Sequence, residues 1–296
     1  MRRAAVFVIV ALAVAGCAAT ATEITILYTN DLHLRLSRLE SISALVAAER
    51  ARSCAVLLFD AGDTWQDFRN PVFAVWGAQS MVEWMNRTRY DAMALGNHDF
   101  YWGARDLGRL AEAAEFPLLC ANLTPTTPTL PPFVASIRTT VADVDVLVVG
   151  IVTEEYFPYL DYPWLLPIDA ASAVGGEVAA HGDGVDLVVC VGHLPIAHAR
   201  AVASAVPAID VFLTGHSHEE TAVPVYVGET LIVQSGAFGA NLGRLVLDVD
   251  LETGECRFVS NDLLPTEKAP AEIGRGLVRL LEVLALLALF LGVVLS

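Results

Sequence analysis

The stretch AMALGNHDFYWG, Ala92 to Gly103, carries the reading of the fold. Four apolar residues, Ala92 to Leu95, run directly into Gly96, Asn97, His98 and Asp99. A run this short suits a buried strand, and the polar burst after it suits a turn or a site. Taken alone it is a turn. The same pattern recurs elsewhere. Ile24–Tyr28 runs into Asn30-Asp31-Leu32-His33, and Ala55–Phe59 runs into Asp60-Ala61-Gly62-Asp63. Leu187–Val191 runs into Gly192-His193, and Ile209–Leu213 into Gly215-His216-Ser217-His218. Five of the seven histidines fall at these junctions.

Between the apolar runs lie stretches of helical period. Leu39, Ile42, Leu45 and Val46 mark a helix over Arg38–Arg50, and Val72, Val75, Trp76, Val82 and Met85 mark one opening near Pro71. Leu107, Leu110, Ala111 and Ala114 mark a third, and Ile196–Val206 a fourth. Val144–Val149 is a further strand. Leu231–Gln234 and Arg244–Val249 are expected to form a hairpin with Gly236 and Gly239 in its loop. The Pro-rich segment from Thr124 to Pro132 and the aromatic-bearing segment Thr153–Asp183 read as irregular. The class is α/β with largely buried sheets.

The ends read differently. Met1-Arg2-Arg3, the apolar run Ala4–Ala15 and Ala19-Thr20-Ala21 have the layout of a signal peptide over residues 1–21. Val14-Ala15-Gly16-Cys17 reads equally as a lipoprotein signal, and both imply export. Val283–Leu295 carries no charge and is short for a membrane span. A tail over 266–296 thus reads as a GPI signal, with Ala271 or Gly274 as attachment sites, or as a membrane anchor. The body, 22–265, is long enough for one sizeable core. Cys54, Cys120, Cys190 and Cys256 are widely spaced and read as buried small hydrophobes. Asn86-Arg87-Thr88 and Asn122-Leu123-Thr124 are glycosylation sequons. The net charge of −16 and the lack of a basic patch argue against a nucleic-acid partner.

Imidazole, carboxylate and amide gathered at strand ends are the N and O donors that divalent transition metals take. In open α/β sheets ligands bind outside the carboxyl ends of the strands. Asp31, His33, Asp63, Asn97, His193, His216 and His218 are the candidate metal ligands. With one carboxylate bridging, they fill eight donor slots, enough for two ions. Paired ions clamp the attacking and leaving oxygens of a phosphoryl displacement.

These ordered motifs, from Thr29-Asn30-Asp31-Leu32-His33 to Gly215-His216-Ser217-His218, resemble those of the calcineurin-like metallophosphoesterases. The likeness is strongest to the branch of 5′-nucleotidases, UDP-sugar hydrolases and 2′,3′-cyclic-nucleotide phosphodiesterases. Tyr90–His98 and Gln234–Gly239 are similar to that branch too. The resemblance implies a four-layer αββα sandwich with two divalent metal ions of Zn, Mn, Fe or Co type. It places Asp31, His33, Asp63 and His218 on one ion, and Asp63, Asn97, His193 and His216 on the other. His98 would be catalytic, and with Asn97 would bind substrate. The implied activity is hydrolysis of phosphate mono- or diesters, nucleotide-type or other small molecules, by hydroxide activated at the metals. A sulfur-linked ester is a third candidate substrate. Nucleotidases of the branch read GNHEFD, whereas this chain reads GNHDFY, so Tyr101 stands where a carboxylate would pair with the histidine. The branch also carries a base-gripping domain for which no room is expected after Leu264. These departures favour a rival, a catalytically weak or inactive metal-containing protein at the cell surface.

Overall fold

The computed structural model describes residues 21–66, 73–127, 132–155 and 162–267. The expected signal segment, Pro71, the loop aromatics Tyr156, Phe157 and Tyr159, and the apolar tail lie outside these residues. No helix among the described residues is long and apolar enough to cross a membrane.

The first half of the chain builds β1 (Ala21–Thr29), α1 (Leu39–Arg52), β2 (Val56–Asp60), α2 (Phe73–Thr88), β3 (Ala92–Ala94), α3 (Ala104–Ala113) and β4 (Leu118–Leu119). Strands β5 (Leu123–Pro125), β6 (Ser136–Val141), β7 (Val144–Val152) and β8 (Leu165–Pro167) follow. The second half adds α4 (Ala170–His181), β9 (Leu187–His193), α5 (Ile196–Ala205) and β10 (Val211–Thr214). It ends with β11 (Val225–Val227), β12 (Thr230–Val233), β13 (Asn241–Asp250) and β14 (Cys256–Pro265).

Two six-stranded sheets result, ordered β14-β13-β1-β2-β3-β4 and β11-β12-β10-β9-β7-β6. The period-2 alternation of each strand explains their stacking. In β1, Ile24, Ile26 and Tyr28 face one way, where they meet Val144, Val146 and Val148 of β7 and Leu187, Val189 and Val191 of β9. Leu27, with Leu58 of β2, faces the other way, against Ile42 and Val46 of α1 and Met81 and Met85 of α2. Across the molecule, Leu147, Val149 and Cys190 face Val174 of α4 and Ala199 and Val202 of α5. Helices thus cover both outer faces of two packed sheets, giving the four-layer αββα arrangement. Such doubly covered strands read as continuous apolar runs, as β1, β2, β7 and β9 do.

Three expectations fail. Leu231–Gln234 and Arg244–Val249 are not a hairpin. β12 pairs with β10 and β11, whereas β13 pairs with β1 and β14 in the other sheet. The chain crosses between sheets at the glycines that had looked like a hairpin loop. Thr153–Asp183 is not irregular throughout, because β8 pairs with β5 and α4 follows, capped by the Asp169 carboxylate accepting from the Ser172 N–H at 2.7 Å. Cys54 is exposed, since it lies in the turn before β2 rather than in the strand, while Cys120 and Cys190 are buried; all four described cysteines are free thiols. The sequons are also structurally engaged. Asn122 is fully buried and its amide both donates to Val152 C=O and accepts from Val152 N–H, at 2.8 and 2.9 Å. Asn86 bridges Ala113 and Glu115 in the same manner.

Candidate metal centre

Parallel pairing of β1 with β2 and β2 with β3 puts their carboxyl ends side by side, and β9 with β10 does the same in the second sheet. The two rims meet, and the junction residues converge between them. The backbone there is unusual. Asp31, His33, Asp63, His216 and His218 have φ of 51, 47, 56, 71 and 60°. Left-handed backbone at non-glycine residues costs about 1–3 kcal/mol each and persists only where surroundings enforce it. Here the first two loops are stitched together: Asp31 N–H donates to Gly62 C=O at 2.8 Å, His33 N–H to Asp63 C=O at 3.0 Å and Leu34 N–H to Thr64 C=O at 3.1 Å. Close approach also demands glycine. A Cβ on Gly62 (φ +89°) would lie 2.5 Å from Gly96 N, and one on Gly96 would lie 2.1 Å from Asp63 Oδ1.

Each candidate carboxylate has one oxygen committed and one turned inward. Asp31 Oδ2 accepts from Asn30 Nδ2 at 2.7 Å and from His216 N–H at 2.9 Å. Its Oδ1 is buried and accepts no hydrogen bond, yet His218, His33 and His193 Nε2 lie 3.2, 3.6 and 4.0 Å away. Asp63 Oδ1 accepts from His98 N–H at 2.8 Å. Its Oδ2 faces Nε2 of His193 at 3.1 Å, and of His33 and His98 at 3.9 Å each. The imidazoles are oriented from behind. His33 Nδ1 donates to Gln66 C=O at 3.1 Å and His193 Nδ1 to Ala61 C=O at 2.7 Å, which turns both Nε2 atoms toward the carboxylates. His216 Nδ1 sits 3.1 Å from Asn97 Oδ1 and 3.3 Å from His193 Nε2.

Three sets of donor atoms result: Asp31, His33 and His218; Asp63, His193 and His216; and His33, Asp63 and His98. All seven residues expected to be ligands are brought together. The third set is one the sequence reading did not contain, since it brings His98 into ligand range as well. A buried carboxylate oxygen without a hydrogen bond, ringed by three imidazole nitrogens, is costly unless a cation satisfies it. N and O donors at this density fit a divalent transition metal.

The charges are coupled. Burial pushes Asp31 up, but the charge on His193 and the imidazoles of His218 and His33 outweigh it and hold the carboxyl far below the ordinary range. Burial pushes His193 down, yet Asp63 and Asp31 raise it to about 10. In the absence of metal the cluster thus holds protons where ions would sit.

Sequence reasoning missed the supporting residues. Asp99, which sits inside the opening motif, is no ligand here. It is buried and accepts from the N–H groups of Asp63, Gly96, Thr64 and Trp65 at 2.8, 2.9, 3.2 and 3.2 Å, tying two strand-end loops together. Burial, then the charge of Asp63, pushes its carboxyl up to about 8 against those donors. Asn30 Oδ1 accepts from Ser235 N–H and Oγ at 2.9 and 2.6 Å, and Gln234 Nε2 donates to Gly215 C=O at 3.0 Å. A polar residue beside each ligand in sequence was the available signal for Asn30 and Asp99. Tyr101 packs edge-on against His98, ring centres 5.0 Å apart at 72°.

Comparison with known proteins finds relatives in sequence and in fold. The pattern described as calcineurin-like phosphoesterase matches residues 24–220. The 5′-nucleotidase of Homo sapiens is 31% identical over 301 residues, covering 86% of this chain and 51% of that protein. Snake venom 5′-nucleotidase of Naja atra is 30% identical, covering 77% of this chain and 50% of its own length. The chain therefore spans about half the length of the curated relatives it matches. A 5′-nucleotidase precursor from Thermus thermophilus has the same fold, with TM-score 0.76 at 24% identity over 91% of this chain and 60% of that one. A sulfate thiohydrolase from the same organism superposes at TM-score 0.72 and 22% identity, over 83% of this chain and 58% of that one. With its candidate ligands in order at the strand ends and the family pattern spanning most of its body, the chain belongs to the calcineurin-like phosphoesterases.

Proposed function

We propose that this chain hydrolyses phosphate mono- or diesters of small molecules at a centre of two divalent ions. The observation that carries the reading is the pair of carboxylates, Asp31 and Asp63, each fixed through one oxygen and turned through the other toward imidazole nitrogens. Asp31, His33, Asp63 and His218 would hold one ion, and Asp63, Asn97, His193 and His216 would hold the other. When bound, such ions polarise phosphoryl oxygens and acidify water near neutral pH. The residues do the rest. Gln66 and Ala61 C=O fix the tautomers of His33 and His193, and Asn97 orients the ester. His98, half-buried at the rim, faces the phosphoryl group and exchanges a proton with the leaving oxygen. The catalytic unit comprises 22–265, and we further propose export by the 1–21 segment and membrane attachment through the 266–296 tail or an N-terminal lipid.

The test combines metal analysis of purified protein with a panel of aryl phosphate mono- and diesters. Two ions per chain and turnover that is lost on chelation are expected. A folded, metal-loaded protein inert toward the whole panel would instead favour the surface-binding reading. Tyr101 in edge contact with His98 is the observation behind that second reading, and Tyr101→Asp restoring turnover would identify it as the cause.

A further inference from the structure

Among the described residues, Arg35 is a cation near the centre that the proposed chemistry does not use. Arg35 lies two residues beyond His33, and its Cζ sits 4.7 Å over the ring of Phe238. That ring is in turn 5.6 Å from His33 and 5.1 Å from His218. Phe238 is itself held in place: its N–H donates to Asp31 C=O at 2.7 Å and its φ is 58°. A single phenyl ring therefore separates a guanidinium from two candidate ligands. No carboxylate of the described residues lies within ion-pair distance of Arg35, whereas Arg50, Arg52, Arg244 and Arg257 each have one. A half-buried cation without an anion among the described residues, in a chain of net charge −16, is more than the fold needs. An apolar side chain would cover Phe238 as well.

We propose that Arg35, seated on Phe238, is a specificity residue that takes a second anionic group of the substrate while the phosphoryl group lies at the ions. A guanidinium presents a fork of N–H donors that matches a carboxylate or phosphate, and the ring face occupies none of them. The preferred substrates are phosphoesters with a carboxylate or further phosphate about one aromatic ring's breadth from the reacting phosphorus. This rests on the phosphoryl placement proposed above.

Calorimetry with two phosphonates, which cannot turn over, tests it on the metal-loaded full chain. Phenylphosphonate has one anionic group, and 4-carboxyphenylphosphonate has two. Wild type is expected to bind the second about tenfold more tightly. Arg35→Gln should bring the two within about twofold of each other, with phenylphosphonate affinity and metal content unchanged, and Arg35→Lys should keep part of the preference. Equal weakening of both ligands, or an unchanged preference in Arg35→Gln, overturns the proposal. Failure of wild type to bind either phosphonate sinks the phosphoryl-site reading itself, and this inference with it. Phe238→Leu, which removes the platform but not the charge, should lower the preference without abolishing it; an unchanged preference there removes the platform from the argument.

Discussion

His98 sits between two kinds of neighbour. Its Nε2 is 3.9 Å from Asp63 Oδ2, and its ring meets Tyr101 edge-on. If it moves a proton and does not hold an ion, His98→Ala should keep both metals and lower kcat by about 10²–10⁴-fold. Loss of an ion in that variant, read by elemental analysis, would assign it to the ligand set instead. A second residue sets a pH dependence. Asp60 accepts from Thr29 Oγ1, Thr64 Oγ1 and Gly62 N–H at 2.6, 2.7 and 2.9 Å, but burial pushes its carboxyl up to about 7. Unfolded, the same group titrates near 3.9. Between pH 4 and 7 the folded chain therefore binds a proton that the unfolded chain has released, and stability falls as pH rises through that window. The full effect is on the order of 4 kcal/mol. Urea unfolding of the metal-free protein across this range should show the slope, and Asp60→Asn should make it shallower, leaving the contribution of Asp99, whose raised carboxyl acts in the same direction.

The strands and their polar ends were legible because each strand is buried on both faces and ends abruptly, so burial and chemistry are written side by side in residues such as Leu57–Phe59 and Asp60–Asp63. What local pattern cannot encode is the partner. Gln234 to Arg244 has the length and glycines of a hairpin loop, yet β12 and β13 bond to strands of opposite sheets. That choice is made by distant neighbours, among them Tyr28, whose ring lies over Gly243 where a Cβ would sit 2.1 Å from it. α4 escaped because Ala170–His181 is rich in alanine and glycine and buries only Ala173 and Val174, which gives little contrast between its faces. Asp169 three residues before Ser172 was the missed cue. The ligands were readable for their chemistry, but the loop contacts that aim them were not. Gly96→Ala tests one such contact. The new methyl would displace the Asp63 carboxylate, so chelator competition should show at least about tenfold weaker metal binding. Unchanged metal affinity would mean that the β3 loop yields without moving Asp63.

At the scale of the molecule, the centre draws Asp31, His33, Asp63 and Asn97 from one sheet and His193, His216 and His218 from the other. Ions bound there would fasten the two halves of the sandwich. Ligand at 100–1,000 times its dissociation constant adds about 3–4 kcal/mol per site, and 1 kcal/mol moves a melting midpoint by about 2–4 °C in a domain of this size. Chelation of two ions should therefore lower the midpoint by roughly 10–30 °C, and readding metal should restore it; a midpoint insensitive to chelator would mean that the sheets hold together without help from the site. The left-handed backbone at Asp31, His33, Asp63, His216 and His218 gives the same centre an opposite aspect. Without ions, these positions combine conformational cost with crowded charge, so the resting chain is under tension where it does its work. A library selected for heat resistance in the presence of chelator should converge on Gly or Asn at those five positions ahead of any core site. The survivors would be sturdier folds that had given up their reaction.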